Sequence, residues 1–384
     1  MSEVRVNNLT NENNTGGPTI SGITTYSSRH FFVPPQGDTA SRPSDCKPGS
    51  FRFNTDTANL EYFRGDGIGW AEIEASNQEL GGGTGSNTGL GVRAVISVGQ
   101  RSPTPYNTDL DFITISTLGT AQDFGNAGVT RDKLASGSDA SRGLFIGGEG
   151  VTDNIEFITF ASTGNATDFG NIGHGSQMRF CAGCSSSTRT IFGGGYTGPA
   201  AHNILEYVTT QTTGNGVDYG DLLEQTNAPA ACSSSTRGVF AGGTTHNYSA
   251  NKNTIQFFTM SSTGNTTDYG DLTQAKSKLS GASNATRGLF FGGDAPSSVN
   301  DIDFITIATT GDATDFGDLI TARGRPCAAA SSTRAICAGG RSGDNNYNSI
   351  DFATIMTTGN YIDFGDLTRI SVGGFGLSNG HGGL

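Results

Sequence analysis

From residue 91 onward, short apolar segments alternate with turn-forming residues. The stretch from Ile302 to Leu319 shows the pattern best, with two strand-like segments joined by a Gly-containing turn. Such alternation predicts short β-strands and tight turns. The second segment carries the tripeptide Asp-Phe/Tyr-Gly, which recurs six times at spacings of 45, 50, 50, 47 and 48 residues. The six copies begin at Asp123, Asp168, Asp218, Asp268, Asp315 and Asp363.

Each repeat contains four strand-like segments. They are an Arg-led apolar segment that usually ends in Gly-Gly, a segment with an acidic or amide residue before Phe or Tyr, the Asp-Phe/Tyr-Gly segment, and a run of small residues. Four strands in a period of this length are typical of a propeller blade. The sequence therefore predicts an all-β fold, a six-bladed β-propeller over residues 91–384. The leading arginines are Arg142, Arg189, Arg237, Arg287 and Arg334, with Arg93 to Gly99 as a degenerate first copy.

These repeats resemble the kelch family of β-propellers. The resemblance rests on the Gly-Gly segment, the variable loop after it and the aromatic strand, and it covers roughly residues 91–384. A kelch repeat usually contains a Tyr and a later Trp, whereas these repeats contain no Trp. The resemblance implies that the Gly-Gly strand is the second in each blade and that the small-residue run is the innermost. It implies no particular ligand.

The C-terminal tail predicts how the ring closes. Residues 366–384 align without gaps on residues 271–289 and stop where a second strand would begin. The first repeat, in turn, starts at residue 91 with a second strand. We therefore expect residues 370–379 to pair with the sheet that contains residues 93–99, which joins the two ends and removes open sheet edges.

The N-terminal part differs in composition. Residues 1–43 are polar and are expected to form an extended arm that orders against a partner. Residues 44–75 predict a small β-module with strands at Phe51–Asn54, Leu60–Phe63 and Trp70–Glu74. Three strands alone are marginally stable, so the module is expected to need a neighbour. Residues 76–90 read as a Gly-rich flexible linker.

Composition excludes several classes of function. The chain has 384 residues and a net charge of −12 without a basic block, which argues against a nucleic-acid partner. No apolar run is long enough for membrane insertion, and the N-terminus lacks the apolar segment of a secretory signal. The six cysteines form no disulfide framework. The pair Cys181 and Cys184 is interpreted as small apolar side chains in an inner strand.

Strand alternation divides the loops between two rims. The inner-to-second-strand turns (such as Ser-Ser-Ser-Thr) and the Thr-Gly-Asn turns share one nearly uniform rim, and the second-to-third-strand loops share a variable rim. The variable loops mix aromatic anchors with small polar residues, which suits an adaptable binding surface. Drift of exposed loops is an equally good explanation. The candidate binding residues are Tyr106, Tyr196, His202, His246, Tyr248 and Tyr347.

The repeated Arg and Asp residues have two interpretations. They could form a ligand-binding ring, or they could tie blades and loops together. One Arg and one or two carboxylates in every blade favour the structural role.

No catalytic, metal or cofactor site is predicted. The sequence contains no nucleophile motif, phosphate loop or catalytic carboxylate pair, and its five histidines lack metal-ligand spacing. His202 and His246 occupy equivalent loops of successive repeats, which raises a metal alternative, but the distance between blades argues against it.

A second resemblance concerns function. The segment Gly49 to Phe63, followed by Gly-Trp-Ala-Glu-Ile73, resembles a β-module of virion proteins from tailed phages that infect cyanobacteria. The Asp-Phe-Gly-Asp-Leu and Cys-Ser-Ser-Ser-Thr-Arg repeats are similar to repeats in the same proteins. The resemblance implies a virion structural protein, such as a tail fibre or appendage, assembled in the host cytoplasm.

In that reading, residues 1–75 bind other virion proteins, and the propeller attaches to a glycan or protein of the host surface. Homo-oligomers are compatible with it. Two alternatives stay open: a capsid or tail decoration protein that binds no receptor, and a glycan-cleaving enzyme. Because Gly91 and Leu384 are both expected on the uniform rim, the variable rim is expected to face away from the particle.

Overall fold

The computed structural model describes residues 34–56, 59–72, 92–97, 108–150, 153–174, 178–198, 200–246 and 248–384. These residues form an all-β structure without helices. The chain divides into two compact units, Met1–Asn77 and Gln78–Leu384.

The first unit contains one four-stranded sheet in the order β1-β2-β3-β4. Its strands are β1 (Gln36–Gly37), β2 (Phe51–Asn54), β3 (Asn59–Phe63) and β4 (Trp70–Glu72). Strand β1, which belongs to the segment interpreted as an arm, pairs parallel with β2. The buried carboxylate of Glu61 lies 2.6 Å from the guanidinium of Arg42, and this hydrogen bond lowers the pKa of Glu61. The module thus adds a buried ion pair to a very small apolar core.

The second unit contains six four-stranded antiparallel sheets, numbered 1 to 6 along the chain. Sheet 1 holds β5 (Arg93–Ser97), β6 (Asp109–Thr114), β7 (Gln122–Asn126) and, from the tail, β30 (Gly376–Ser378). Sheet 2 holds β8 (Ala135–Ser138), β9 (Arg142–Ile146), β10 (Asn154–Thr159) and β11 (Thr167–Asn171). Sheet 3 holds β12 (Ala182–Ser185), β13 (Arg189–Gly193), β14 (Ile204–Thr209) and β15 (Val217–Asp221).

The remaining sheets repeat the same order. Sheet 4 holds β16 (Ala230–Ser233), β17 (Arg237–Ala241), β18 (Thr254–Thr259) and β19 (Thr267–Asp271). Sheet 5 holds β20 (Ser280–Ser283), β21 (Arg287–Phe291), β22 (Asp301–Thr306) and β23 (Thr314–Asp318). Sheet 6 holds β24 (Cys327–Ala330), β25 (Arg334–Ala338), β28 (Ser349–Thr354) and β29 (Ile362–Asp366). A small hairpin, β26 (Arg341–Ser342) and β27 (Asn345–Asn346), interrupts sheet 6 between β25 and β28.

The C-terminal tail completes the first sheet. Strand β30 pairs antiparallel with β5, with Leu377 opposite Val95. This is the pairing that the tail alignment predicts. Sheet 1 therefore combines strands from both ends of the second unit.

Six apolar clusters lie between successive sheets. Val95 of sheet 1 packs in one cluster with Phe145 of sheet 2, and Ile96 of sheet 1 packs in another with Ile336 of sheet 6. The other four clusters join sheets 2 and 3, 3 and 4, 4 and 5, and 5 and 6. Each sheet is thus buried on both faces, which explains why the strands carry apolar residues on both sides.

Steric contact with the next sheet requires glycine at the third position of the Asp-Phe/Tyr-Gly marker. Gly125 has a φ of +142°, and a Cβ at this position would lie 2.4 Å from the carbonyl oxygen of Gly164 in the turn of the next sheet. The N–H of Gly164 donates to the carbonyl oxygen of Phe124 at 2.7 Å. The marker therefore lies where the backbones of two neighbouring sheets are in contact. Only Gly permits so close an approach.

Candidate functional site

Six residues in the connections that lead into the inner strands form a cycle of backbone hydrogen bonds, here called the mouth ring. The N–H of each donates to the carbonyl oxygen of its counterpart one repeat earlier, at 2.6 to 3.2 Å. The N–H of Lys133 donates to Gly373 at 2.7 Å, which returns the series to its start. The members of the mouth ring are Lys133, Phe180, Ala228, Lys278, Arg325 and Gly373.

The mouth ring has side chains at positions whose backbone conformation favours glycine. Its five non-glycine members have φ values between +53° and +57°, the left-handed region that L-residues seldom adopt. Each such residue costs on the order of 1 kcal/mol or more, and comparable strain elsewhere often marks functional sites. Only Gly373 uses the residue that avoids this cost. The chain therefore places Lys, Phe and Arg side chains here against a conformational penalty.

A cavity of about 580 Å³ opens beside the mouth ring, and we call it the mouth cavity. Its volume falls in the range of small-molecule sites, about 300–1,000 Å³. A second cavity, of about 180 Å³, lies between the inner strands and shares four residues of the mouth ring with it. The mouth cavity is lined by Lys133, Glu149, Arg179, Phe180, Tyr196, His246, Tyr248, Lys278 and Arg325.

The C-terminal residues cover the far end of the inner cavity. His381 contacts the carbonyl oxygen of Ser138 at the end of β8, with its Nε2 at 2.8 Å. The N–H of Gly382 donates to Ser283, at the end of β20, at 2.9 Å. Burial lowers the pKa of His381, so this ring is held neutral. The tail therefore reaches from the end of β8 in sheet 2 to the end of β20 in sheet 5.

Three of the four cations in the lining have carboxylate partners. Glu149 accepts from Lys133 and, at 2.8 Å, from Arg179, while Lys278 lies 2.9 Å from Asp294. Burial alone would raise the pKa of Glu149, but the two cations outweigh it and lower that pKa. These pairs keep the three side chains in fixed positions around the cavity.

Arg325 differs from the other three cations. No carboxylate among the described residues lies within ion-pair distance of its guanidinium, and its Nε, like that of Arg179, is buried without a hydrogen-bond partner there. Instead the guanidinium lies over the ring of Phe180, 5.2 Å from the centroid. Burial, followed by the nearby Arg341, lowers the pKa of Arg325, while Tyr248, Asp294 and Asp132 act in the opposite direction. A partly desolvated guanidinium without a partner is an electrostatic deficit that an anion would remove.

Aromatic rings fix the geometry of the remaining lining. Tyr196 stacks on His246 with centroids 5.1 Å apart, and Arg179 lies 4.5 Å from the centroid of Tyr196. Phe180 and Tyr248 meet edge to face at 6.1 Å, and Lys278 lies 5.0 Å from the centroid of Tyr248. Cation–π contacts therefore orient the charged groups around the cavity.

The structure brings together three of the predicted binding residues, Tyr196, His246 and Tyr248, in the mouth cavity. His202 lies outside its lining and packs against His174 at 6.0 Å. Tyr347 is likewise outside the lining and lies 5.2 Å from the buried guanidinium of Arg323. Tyr106 is outside the described residues.

Sequence reasoning missed the cations and Phe180 of the mouth ring. In the sequence these residues share only their position, since each lies at the same place before the small-residue run of its repeat. That column holds two Lys, one Arg, one Phe, one Ala and one Gly, and so varies, unlike the Asp-Phe/Tyr-Gly marker of the same repeats.

The leading arginines of the repeats, here called the strand-start arginines, connect successive sheets. Each Nη1 donates to a backbone carbonyl at the end of the third strand of the next sheet, and Arg334 of sheet 6 reaches Ser116, just after the third strand of sheet 1, at 3.0 Å. Each guanidinium also stacks on the aromatic residue of its own third strand at 4.6 to 4.7 Å. The donor–acceptor pairs are Arg93–Phe160, Arg142–Gln211, Arg189–Ser261, Arg237–Ile307, Arg287–Ile355 and Arg334–Ser116.

The carboxylates that connect sheets lie in the third strands. Asp111 of sheet 1 accepts from the N–H of Thr368, past the outer strand of sheet 6, at 2.9 Å, and Glu206 of sheet 3 accepts from the N–H of His174 at 2.8 Å. The Asp residues of the markers are instead exposed in their outer strands; they are Asp123, Asp168, Asp218, Asp268, Asp315 and Asp363.

The cysteines of the second unit are free and buried. Burial raises the pKa of Cys181 and of Cys184 to about 12, so their thiols stay protonated. The described residues contain no group of three or more His, Cys, Asp or Glu side chains placed to hold a metal ion. His246 stacks on Tyr196 and His202 on His174, so the described ring contacts do not pair the two histidines of the metal alternative. Within the same ranges, no helix is long and apolar enough to cross a membrane.

No protein-family model matches the chain, and no curated protein does so either.

Proposed function

We propose that the second unit is a six-bladed β-propeller whose variable rim is a ligand-binding face. The observation that carries this proposal is the cycle of hydrogen bonds through the mouth ring, which returns from Gly373 to Lys133. The strand-start arginines and the six apolar clusters follow the same cyclic order, from sheet 6 back to sheet 1. A closed ring of blades accounts for all three series with one geometry.

We further propose that the protein is a non-catalytic virion component of a tailed phage that infects cyanobacteria. In this proposal residues 1–75 bind other virion proteins, and the propeller presents the mouth cavity to a receptor on the host surface. The motif resemblance in the Gly49–Phe63 segment and in the repeats supports the assignment to a particle. Burial raises the pKa of the Cys181 and Cys184 thiols to about 12, which argues against these two inner-strand cysteines as nucleophiles.

A truncation separates the anchor from the propeller. We expect a chain without residues 1–75 to remain folded, because the apolar clusters of the second unit draw only on residues 92–384. The shortened protein should no longer join particles when it is supplied in place of the full chain. Incorporation of the truncated protein at the normal level would refute the anchor assignment.

Tags placed on the two rims test the orientation on the particle. We expect an epitope in the variable loop around residues 244–253 to be accessible on intact particles. A tag in the turn at residues 185–187 should be hidden on the same particles. The reverse pattern would make the variable rim a docking surface and would favour a capsid or tail decoration protein without a receptor.

A further inference from the structure

The mouth cavity combines excess positive charge with polar groups that lack partners. Four cations line it, against Glu149 in the lining and the neighbouring carboxylates of Asp294, on Lys278, and Asp132, 3.5 Å from Lys133, which leaves an excess of one positive charge. This local excess stands out in a chain whose net charge is −12. A concentration of cations in a cleft attracts anions and raises their local concentration.

Arg325 supplies hydrogen-bond donors with a fixed orientation. Its guanidinium is fixed over Phe180, and its backbone is fixed in the mouth ring by the hydrogen bond from its N–H to Lys278, at 2.8 Å. A guanidinium presents a planar set of donors that matches a carboxylate, sulfate or phosphate. Nε itself is buried, and no described residue accepts a hydrogen bond from this guanidinium, so its Nη donors are available to a ligand.

Other lining groups suit a ligand that also carries hydroxyls. The Nδ1 of His246 is buried and has no described hydrogen-bond partner. The hydroxyls of Tyr196 and Tyr248 belong to the same lining. A purely anionic ligand would leave Nδ1 of His246 without a partner, whereas a hydroxylated ring could satisfy it.

We infer that the mouth cavity binds an acidic saccharide, with its carboxylate, sulfate or phosphate group on Arg325 between Lys133 and Lys278. The inference rests on the proposed binding face and names the chemical class of its ligand. The saccharide hydroxyls contact Nδ1 of His246. No covalent step is involved, and the ligand leaves unchanged.

Binding to the purified full chain tests the inference with two matched pairs of probes. Oligogalacturonate is compared with its methyl-esterified form, and dextran sulfate with dextran, so that charge is the only planned difference within each pair. We expect the acidic member of at least one pair to bind at least about tenfold more tightly than its neutral partner. The pair that responds distinguishes a carboxylate from a sulfate ligand. Binding should weaken with added salt, because exposed charges are screened.

Variants then locate the site. Arg325→Gln should weaken binding of the acidic probe about tenfold or more, the factor expected for one lost charged hydrogen-bond partner. Arg325→Lys keeps the charge but not the planar donors, so its loss should be intermediate. Arg369→Gln is the matched control, because it removes one positive charge at an exposed position that pairs with Asp109 outside the cavity. A thermal midpoint equal to that of the unmodified protein shows that a variant is folded.

Each contrary result has a distinct meaning. Equal binding of acidic and neutral probes would overturn the inference while leaving the proposed binding face in place. Equal loss in Arg325→Gln and Arg369→Gln would also overturn it, because charge anywhere on the surface would then suffice. Polyaspartate binding as tight as that of the acidic probe would show that a saccharide is not required, and would overturn it too. Failure of all probes would overturn the inference alone, since the particle experiments judge the proposed function separately.

Discussion

Arg334 and Arg325 belong to the same repeat but to opposite kinds of region. Arg334 is a strand-start arginine that donates to two carbonyl oxygens of sheet 1 and stacks on Phe352. Arg325 occupies the mouth ring, where the equivalent residue changes from repeat to repeat and where its own Nε has no described partner. Repeated contacts between sheets therefore mark architecture, whereas a position that varies between repeats and has no carboxylate partner marks the candidate site.

The largest expected loss of stability comes from Phe375, which directly precedes β30. Phe375 is 6% exposed and stacks on Phe145 of sheet 2 at 4.4 Å. Phe375→Ala should lower the free energy of unfolding by about 4 kcal/mol, because it removes a large buried ring and leaves a cavity. Chemical denaturation measures this loss. Ile362→Ala is the control, at 57% exposure in β29, and should cost less than about 1 kcal/mol.

The second prediction compares the stability contributions of two carboxylates that are paired on adjacent strands of sheet 5. Asp303 is paired directly with Asp315 in the strand register, but only Asp303 is buried, 3.0 Å from the buried ammonium of Lys276. Asp303→Ala should cost about 3 kcal/mol, because it leaves that charge with Asp301 alone. Asp315→Ala should change the stability by less than about 0.5 kcal/mol. Equal losses in the two variants would assign the marker Asp the same structural role.

The comparison between the two arginines can be tested directly. Arg334→Gln should lower the free energy of unfolding by about 2 kcal/mol, because it removes charged hydrogen bonds and a cation–π contact between sheets. Arg325→Gln should change it by less than about 1 kcal/mol, because the substitution relieves an unpaired, partly buried charge. Denaturation curves of both variants measure the contrast. If Arg325→Gln proved the more destabilising, the mouth ring would be architectural as well.

The smallest expected change in stability comes from the ionisation of Asp132, the buried neighbour of Lys133, and depends on pH. Burial raises the pKa of Asp132 from 3.8 to about 6, against the opposing charge of Lys133. The folded protein therefore binds this proton more tightly than the unfolded chain, so this group adds stability as the pH falls from about 6 towards 4. At pH 7 the ionised carboxylate lowers the stability. Asp132→Asn should then raise the free energy of unfolding by about 1 kcal/mol at neutral pH.

Asn227 supplies the control for that pH effect. It occupies the same bridge position in sheet 4 as Asp132 does in sheet 2. Asn227→Asp should introduce a similar penalty at pH 7. The gain from Asp132→Asn should shrink near pH 4.5, where the unmodified side chain is protonated in the folded state. A gain that is independent of pH would exclude ionisation of Asp132 as its cause.

The sequence was informative where the physical constraint is local and repeated. The Gly of each marker is required by a backbone contact with the next sheet, so the marker had to recur, and the tail pairing with β5 followed from its alignment. Strand β1 could not be predicted, since two polar residues carry no periodic signal. The marker Asp residues drew attention by recurring, although Asp111 and Glu206, among the less uniform acidic positions, make the contacts between sheets.

The candidate site was only partly predictable, for a related reason. Tyr196, His246 and Tyr248 could be proposed from loop composition, because aromatic residues in polar loops suggest binding. Lys133 and Arg325 looked like ordinary surface cations, since their left-handed backbone and their approach to Phe180 depend on contacts between repeats. Their column varies between repeats, and the columns on either side of it vary too, so the sequence did not single these residues out.

Amide hydrogen exchange of the six mouth-ring residues tests the central claim most directly. If the sheets close into a ring that holds the site, the amides of Lys133, Phe180, Ala228, Lys278, Arg325 and Gly373 should all exchange slowly and at similar rates, because each donates to the preceding repeat. Fast exchange at Lys133, whose acceptor is Gly373, with protection kept at the other five, would show that the chain is open between its two ends and would contradict the account.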